Sequence, residues 1–341
     1  MEQIYDTIAY LTLTNDISGR EQALGKRLAE YLAKFVPDSA LHEGYVSARL
    51  GNAPDKPNLL YCAHIDQIGF LVTDLTDDGF LRIGNVGGID RRILLGQPVM
   101  IHGKEMLFGV ISILPPHLLQ GDQAVPEWGG FCMDTGFSSK AELKGRVSRG
   151  DAVTFCTDTR RLLGNRICGQ ALDNRAGAAA VLRAAQVLSE CDDLPCNVTF
   201  VFSFHEERSG RGAMLAAANL KPDYAIAVDT TFGMAHGENP QETFPLGSGA
   251  AIGISPVLSK DLSDRLISAA EKAGIPWSPE VMTGTTGTDA DALALAPNGC
   301  AAGTVSIPIR YMHTPVEVLD LADVKHTADL LVCFAKECDN V

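Results

Sequence analysis

The sequence predicts an α/β fold, in which a mostly parallel sheet carries helices on both faces and is interrupted by a small inserted β-rich domain. Uninterrupted apolar runs alternate with helical patterns in the first and last parts of the chain, which is typical of strands buried on both faces. From about Gly69 to Leu163 the pattern changes to short alternating strands separated by Gly, Asp and Pro turns. We therefore assign residues 1–68 and 164–341 to one domain and residues 69–163 to the insertion.

The elements of the larger domain follow from local patterns. Apolar positions at helical spacing indicate an amphipathic helix over residues 17–36, and "NLLYCAH" (Asn58–His64) is a continuous apolar run that predicts a buried strand. The alanine-rich segment 174–190 predicts a helix that begins just after Asp173. The remaining predictions are strands at 197–204 and 224–228, a helix near 260–273, a strand near "GTVSIPI" and a helix near 320–336.

The charge and the cysteines of the chain narrow its class. The 341 residues carry a formal net charge of −14, which disfavours nucleic acids and anionic membranes as partners because both are bound through basic patches. No apolar run approaches the roughly 20 residues of a membrane-spanning helix, and the first residues do not have the pattern of a signal peptide. The nine cysteines are scattered without a CxxC pair, which favours reduced thiols. We expect a cytoplasmic protein.

Histidines and carboxylates follow the predicted strands. In open α/β sheets, ligands bind beyond the carboxyl ends of the strands, so side chains from separate strands are expected to meet at one edge. A carboxylate at a helix start adds to them, because backbone N–H groups and the helix dipole favour negative charge there. The residues expected at this edge are His64, Asp66, Asp173, His205, Glu206, Glu207, Asp229 and His313.

This mixture of nitrogen and oxygen donors suits a metal centre. Two histidines with several carboxylates, and no cysteine, are typical ligands of zinc, cobalt or manganese. One tetrahedral ion needs four ligands, whereas two ions that share a bridging carboxylate use five. Taken singly, each residue also has a structural interpretation: Asp173 as a helix N-cap, Asp229 as a turn residue and the adjacent glutamates as solvated surface.

An ordered set of short motifs resembles one known family. The motifs are "AHIDQIGFLV", "GGIDRRILLGQPV", "ALDNRAG", "HEERSGRGA", "VDTT", "GTDADAL" and "IPIRYMHTPVE", spread from about residue 63 to residue 318. Together they resemble the dinuclear metallo-aminopeptidases of the glutamyl, deblocking and tetrahedral type, some members of which have been labelled endoglucanases. The resemblance implies an α/β/α sandwich as the catalytic domain, interrupted by a β-rich dimerisation or lid domain.

The resemblance also implies a ligand set. His64 and Asp229 would bind one divalent ion. Glu207 and His313 would bind a second ion, and Asp173 would bridge the two. The implied cofactors are therefore two divalent ions per chain, with zinc or cobalt favoured and manganese as the alternative.

Two further residues are implied to act in catalysis. Glu206 would be the general base that takes a proton from a bridging water activated by the metals. Asp66 would orient the metal-bound His64. His205 is not needed for the ligand set, and we interpret it as a structural neighbour.

The chain departs from the common family motifs around the expected substrate pocket. None of the departures removes an implied ligand or the base. A preference for acidic N-terminal residues would need a basic pocket, to which Arg208 or Arg310 would contribute. The departures are Gln67 in "DQIG", Arg208 and Ser209 after the glutamates, and Thr286 and Asp291 in "TGTDADA".

We therefore predict a metallo-aminopeptidase that removes the N-terminal residue of short peptides. Three alternatives remain open. An N-acyl amide hydrolase (a deacylase) would use similar ligands, and a non-enzymatic assembly subunit would keep the fold with a silent site. An endoglucanase would use Glu206 and Glu207 as its carboxylate pair, although glycosidases ordinarily need no dinuclear metal. The resemblance further implies a homo-oligomer built from dimers, up to a dodecamer.

Overall fold

A large sheet and a small closed barrel contain the β-strands of the computed structural model, which describes residues 1–14, 16–112, 125–297 and 299–338. The helices are α1 (Glu2–Thr12), α2 (Gln22–Leu32), α3 (Lys140–Leu143), α4 (Leu172–Leu188), α5 (Glu206–Ser209), α6 (Arg211–Leu220), α7 (Lys260–Ala273), α8 (Asp289–Ala294) and α9 (Leu321–Glu337). The strands are β1 (Ala40–His42), β2 (Tyr45–Leu50), β3 (Asn58–His64), β4 (Gly69–Leu75), β5 (Leu81–Val86), β6 (Pro98–His102), β7 (Met106–Ile111), β8 (Cys132–Asp134), β9 (Ala152–Phe155), β10 (Arg160–Arg161), β11 (Arg166–Gly169), β12 (Asn197–Ser203), β13 (Tyr224–Phe232), β14 (Ala250–Ile254), β15 (Trp277–Val281), β16 (Ala301–Arg310) and β17 (Glu317–Asp320).

Four parallel strands form the centre of the large sheet. They lie in the order β12, β3, β13 and β16, and each carries a mostly apolar run that is buried on both faces. The outer neighbours β2, β14 and β17 pair antiparallel to this centre. The predicted α/β fold is confirmed. The four central strands are parallel to one another, and the strands on either side of them make the sheet as a whole mixed.

Helices cover both faces of the sheet and form the predicted sandwich. On one face α4 packs against β3 and β13, and α1 and α9 pack against α4. The alanines of α4 are buried, so this helix lies close to the sheet. On the other face α6 and α8 cover a second apolar cluster that includes Leu60, Val201 and Leu293. Each such apolar side chain contributes roughly 1.5–3 kcal/mol when fully buried.

Two predicted element boundaries were wrong. The amphipathic helix spans Gln22–Leu32 rather than residues 17–36, because the preceding segment forms a turn and Ile17 pairs with Gln67. Strand β13 extends four residues beyond the predicted 224–228, since it pairs with β16 along its whole length. Asp229 therefore lies within the strand rather than after its end.

The barrel is closed by β4, β5, β8, β7, β6 and β9, in that order. Its strands lie between Gly69 and Phe155, within the range 69–163 assigned to the insertion, while β10 pairs with β11 of the large sheet. Apolar side chains such as Phe70, Val99 and Met133 fill the interior. Within the described ranges, no helix is long and apolar enough to cross a membrane.

Candidate metal centre

The carboxyl ends of the parallel strands carry the predicted site residues, as the topology requires. His64 is the last residue of β3, and it pairs with Ser203, the last residue of β12. Two residues separate β12 from the short helix α5, which begins with Glu206 and Glu207. The structure places the other three side chains close by, Asp229 on β13, His313 after β16 and Asp173 at the start of α4.

Two groups of potential metal ligands share Asp173. In the first group, His64 Nε2 lies 3.3 Å from Asp173 Oδ1 and 3.5 Å from Asp229 Oδ1. In the second, His313 Nε2 lies 3.3 Å from Asp173 Oδ2 and 3.4 Å from Glu207 Oε1. Within each group the ligand atoms all lie within 4.8 Å of one another. Asp173 thus presents one carboxylate oxygen to each group, which is the arrangement of a bridging ligand.

The electrostatics of the two groups fit cations. Burial, together with repulsion from Asp173, raises the pKa of Glu207 and of Asp229. Burial also acts on Asp173, but its proximity to His313 and His64 lowers its pKa. Asp173 Oδ1 has no hydrogen-bond partner among the described residues. Clustered buried carboxylates are costly without positive charge, so this chemistry fits divalent ions.

The ring of His64 is oriented for ligation. Its Nδ1 lies 3.2 Å from the backbone oxygen of Asp66. With the proton on Nδ1, the ring donates to this carbonyl and directs the lone pair of Nε2 toward Asp173 and Asp229. A ligating histidine usually has such a partner on its second nitrogen.

Two buried carboxylates hold the backbone beneath these ligands. Asp66 Oδ1 accepts from the N–H of Glu206 at 3.0 Å, and Asp66 Oδ2 accepts from the N–H of Glu207 at 3.1 Å. Glu317 makes the matching pair of contacts on the other side: Oε2 accepts from the N–H of Asp173 at 3.1 Å, and Oε1 accepts from the N–H of His313 at 2.9 Å. Asp66 thus holds the start of α5, whereas Glu317 ties the start of α4 to the loop that carries His313.

The sequence reasoning missed Glu317 and Asn174. Asn174 Nδ2 donates to the backbone oxygen of Val228 at 2.8 Å, and its Oδ1 accepts from the N–H of Gly177 at 3.0 Å. It thereby ties the first turn of α4 to β13 beside Asp229. The only available signal was position, since both residues lie within the quoted motifs "ALDNRAG" and "HTPVE".

Several non-glycine residues in or near the two ligand groups have left-handed backbone conformations. They include Ala171 (φ 56°), His205 (φ 64°), Tyr311 (φ 60°) and His313 (φ 61°). Such conformations cost energy in non-glycine residues and cluster at functional sites. The structure places the His205 side chain outside both ligand groups, and its backbone N–H donates to Glu21 Oε1 at 3.0 Å.

A loop of the barrel region packs against the second ligand group. A Cβ atom at Gly88 would lie 3.2 Å from His313 Nδ1. At Gly87, which has a φ of +82°, a Cβ atom would lie 3.1 Å from Glu207 Oε2. The two glycines therefore permit a close approach that larger residues would obstruct.

A cavity of about 1260 Å³ opens onto both groups. Glu206 lines it, and Glu206 Oε2 lies 3.9 Å from His64 Nε2. Burial and repulsion from Asp229 and Asp289, opposed by the attraction of His64, raise the pKa of Glu206 to about 10. A carboxyl group in this position can hold a proton on the cavity wall beside the first ligand group.

The residues at which this chain departs from the common motifs lie in different environments. Arg208 and Ser209 line the cavity as exposed residues. Asp291 Oδ1 accepts from both the N–H and the hydroxyl of Thr286, at 2.9 Å each, so it fixes a loop at the cavity wall. Gln67 is buried outside the cavity lining. Arg310 also lies outside that lining, where its Nε donates to the backbone oxygen of Met234.

The known proteins that resemble this chain in sequence or in structure include several aminopeptidases. A family model described as M42 glutamyl aminopeptidase matches residues 44–330. A lysyl aminopeptidase of Pyrococcus furiosus is 32% identical over 288 residues, which cover 82% of each chain. An aminopeptidase structure from Desulfurococcus kamchatkensis superposes with a TM-score of 0.93 at 34% identity, over 99% of this chain and 96% of that one. The TET1 peptidase of Pyrococcus horikoshii, described as assembling into a tetrahedron or a large octahedral shell, gives a TM-score of 0.85 at 32% identity, over 98% and 99% of the two chains.

Proposed function

The chain belongs to the M42 glutamyl aminopeptidase family, and we propose that it is a metal-dependent aminopeptidase that removes the N-terminal residue of short peptides. The observation that carries this proposal is the position of Asp173. Its Oδ1 faces His64 and its Oδ2 faces His313, and each histidine lies beside one further carboxylate. This donor set suits two divalent ions bridged by one carboxylate.

The two ligand groups would hold the ions. His64 and Asp229 would bind one ion, Glu207 and His313 the other, and Asp173 both. Zinc, cobalt and manganese all accept nitrogen and oxygen ligands of this kind. Two such ions would supply a water molecule of lowered pKa and would polarise the carbonyl group of the scissile bond.

Glu206 is the proposed proton carrier. It is the carboxylate of the cavity that lies beside the first ligand group without belonging to either group. Nearby cations would lower its raised pKa and free the carboxylate to accept a proton from the attacking water. Glu206 then returns this proton to the departing amine. Asp66, which holds the backbone of Glu206 and Glu207, fixes where that transfer occurs.

Replacement of this glutamate tests the proposal. Glu206→Gln keeps the size of the side chain but cannot accept the proton, so we expect kcat to fall by roughly 10²–10⁴-fold while the bound metal is retained. Turnover of aminoacyl-anilides and metal content by mass spectrometry measure both effects. Glu190→Gln, at an exposed glutamate beyond α4, is the matched control and should behave as wild type. Unchanged turnover in the Glu206 variant at full metal content would exclude the base role.

The same assay separates the alternative reactions. N-acetylated aminoacyl-anilides lack the free amino group that an aminopeptidase needs, whereas a deacylase would cleave N-acetylated amino acids. Hydrolysis of the free-amine substrates alone supports the proposed function. Hydrolysis of the acetylated compounds alone would reassign the site to N-acyl amides. A metal-loaded protein that cleaves neither class would instead support an assembly subunit with a silent site.

We also propose a homo-oligomer built from dimers, in which the insertion contributes the dimer contact. The support is the likeness to a peptidase described as forming a tetrahedron or a larger shell, which aligns over 98% of this chain. Exposed apolar side chains on β7, among them Met106 and Phe108, are available for such a contact.

A further inference from the structure

Strands β13, β16 and β15 line the cavity beside the first ligand group and form its floor, and β14 lies between β16 and β15. Asp229 of β13 pairs with Ser306 of β16, which in turn pairs with Ala251 of β14. Gly253 of β14 then pairs with Glu280 of β15. Ser306 and Glu280 line the cavity together with Asp229, so the floor runs from a proposed metal ligand to a second carboxylate.

The Glu280 side chain reaches across β14, where its pairing partner is Gly253 and that of Ser306 is Ala251. Its carboxylate Oε2 accepts from the Ser306 hydroxyl at 2.7 Å, across the intervening strand. A Cβ atom at Gly253 would lie 1.9 Å from Thr304 Oγ1 and 3.1 Å from Met282 Cε. A side chain at residue 253 would therefore displace Thr304 or Met282, both of which line the cavity.

Apart from the proposed base Glu206, Glu280 differs from the other charged groups of the cavity that lie outside the ligand set. Arg208 and Glu242 are exposed, and the carboxylate of Asp291 is occupied by Thr286 and Gly287. Glu280 is half-buried on the floor, and hydrogen bonds from Thr231 and Ser306 orient its carboxylate. Burial raises the pKa of Glu280, and a cationic ligand would favour its ionised form.

The distance from the ligand group suits a long side chain. Asp229 and Ser306 lie on neighbouring strands, which are about 4.8 Å apart, and Ser306 donates to the Glu280 carboxylate at 2.7 Å. From these two lengths we estimate a separation of roughly 8 Å between Asp229 and that carboxylate along the floor. The four-carbon stem of lysine or the stem of arginine covers a comparable distance. Met282 also lines the cavity and offers apolar contact to such a stem.

We propose that Glu280 is the specificity-determining residue for the substrate's N-terminal side chain, and that it selects lysine or arginine. This inference rests on the proposed aminopeptidase function. The names of the relatives do not decide the matter, since one refers to glutamate and another to lysine. An acidic N-terminal residue would place a like charge against Glu280, whereas a cation would form a charge-assisted hydrogen bond.

A substrate panel tests the preference. We expect wild-type protein with bound metal to hydrolyse the anilides of lysine and arginine with higher kcat/KM than those of leucine and glutamate. Glu280→Gln retains the side-chain volume but removes the charge, so the lysine-to-leucine ratio of kcat/KM should fall by about 10- to 100-fold. Leucine turnover by this variant, at near the wild-type value, shows that it folds. Glu242→Gln, at an exposed carboxylate of the same cavity, should leave the ratio unchanged.

Inhibition of the wild-type protein gives a second measurement that needs no variant. Free lysine and norleucine share the same stem, and only lysine carries the terminal ammonium group. We expect lysine to inhibit leucine-anilide hydrolysis at least tenfold more strongly than norleucine. Equal inhibition, a wild-type preference for leucine or glutamate, or an unchanged ratio in the Glu280 variant would each overturn the inference alone. Absence of all aminoacyl-anilide hydrolysis would overturn the proposed function itself.

Discussion

The carboxyl edge of the large sheet and the interior of the barrel show opposite uses of burial. At the sheet edge, His64, Asp66 and Asp173 are buried against one another, with exposed fractions of 2%, 0% and 6%. Among the described barrel residues, Thr154 is the one polar side chain that is buried to the same degree. The charged groups of the barrel form exposed ion pairs on its surface, such as Asp74 with Arg149.

This difference indicates which interactions stabilise each region. Apolar burial stabilises the barrel directly, because it removes hydrocarbon from water without leaving charge unsatisfied. The sheet edge instead collects carboxylates whose burial and mutual repulsion oppose folding. Such an arrangement is tolerated when bound cations offset its cost. We therefore expect the stability of the sheet edge to depend on bound metal and the stability of the barrel to depend on apolar packing.

Removal of metal should have the largest effect. If each of two ions is present at 100 times its Kd, the metal stabilises the protein by about 5 kcal/mol in total, since each site contributes about 2.7 kcal/mol. Thermal unfolding of metal-loaded and chelated protein measures the difference, and added metal should restore the original midpoint. Identical midpoints for fully loaded and fully metal-free protein would contradict the view that the sheet edge depends on cations.

Truncation of the barrel core tests the other half of the comparison. Phe70 is fully buried, and its ring lies 5.3 Å from that of Phe155 and 6.3 Å from that of Trp128. Phe70→Ala should destabilise the protein by about 3–5 kcal/mol, because it leaves a cavity in a close-packed interior. Denaturant unfolding measures this loss, which should be similar with and without metal. Asp74→Asn, on the outside of the same barrel, should leave the midpoint unchanged; a comparable loss there would show that surface charge rather than packing stabilises the barrel.

A conservative change at Glu317 should have a smaller and more selective effect. Glu317→Gln replaces one of two accepting oxygens by an N–H donor, which then opposes the N–H of Asp173 or of His313. We expect metal affinity to fall by about 10- to 100-fold, or about 1.4–2.7 kcal/mol, which is typical of groups that orient metal ligands. Competition with a metal indicator measures this affinity, and Glu190→Gln again serves as control. Unchanged affinity would limit Glu317 to a purely structural role.

Local sequence patterns were sufficient to predict much of this molecule. Continuous apolar runs predicted the central strands, and Asn58–His64 coincides with β3. The apolar pattern was less informative about where a strand ends, because pairing with a neighbouring strand decides its length. Strand β13 extends to Phe232 because β16 offers partners for every residue, although Thr230 and Thr231 end the apolar run. The site residues were identifiable because histidine and acidic side chains immediately after apolar runs are chemically unusual.

By itself, the sequence determined which histidines and carboxylates are candidate ligands and which sheet edge would carry them, since each lies close along the chain to the end of an apolar run or to the start of a predicted helix. The tertiary structure alone decided which oxygen of Asp173 faces which histidine. It also brought Glu317 to the backbone of Asp173, 144 residues earlier, and placed Glu280 across β14 from Ser306. The contact of Glu280 with Ser306 depends on strand register and on the small residues Ala251 and Gly253 between them, and the contact of Glu317 with Asp173 depends on the pairing of β17 with β11. Both are set by the packing of distant segments, so no local pattern records them.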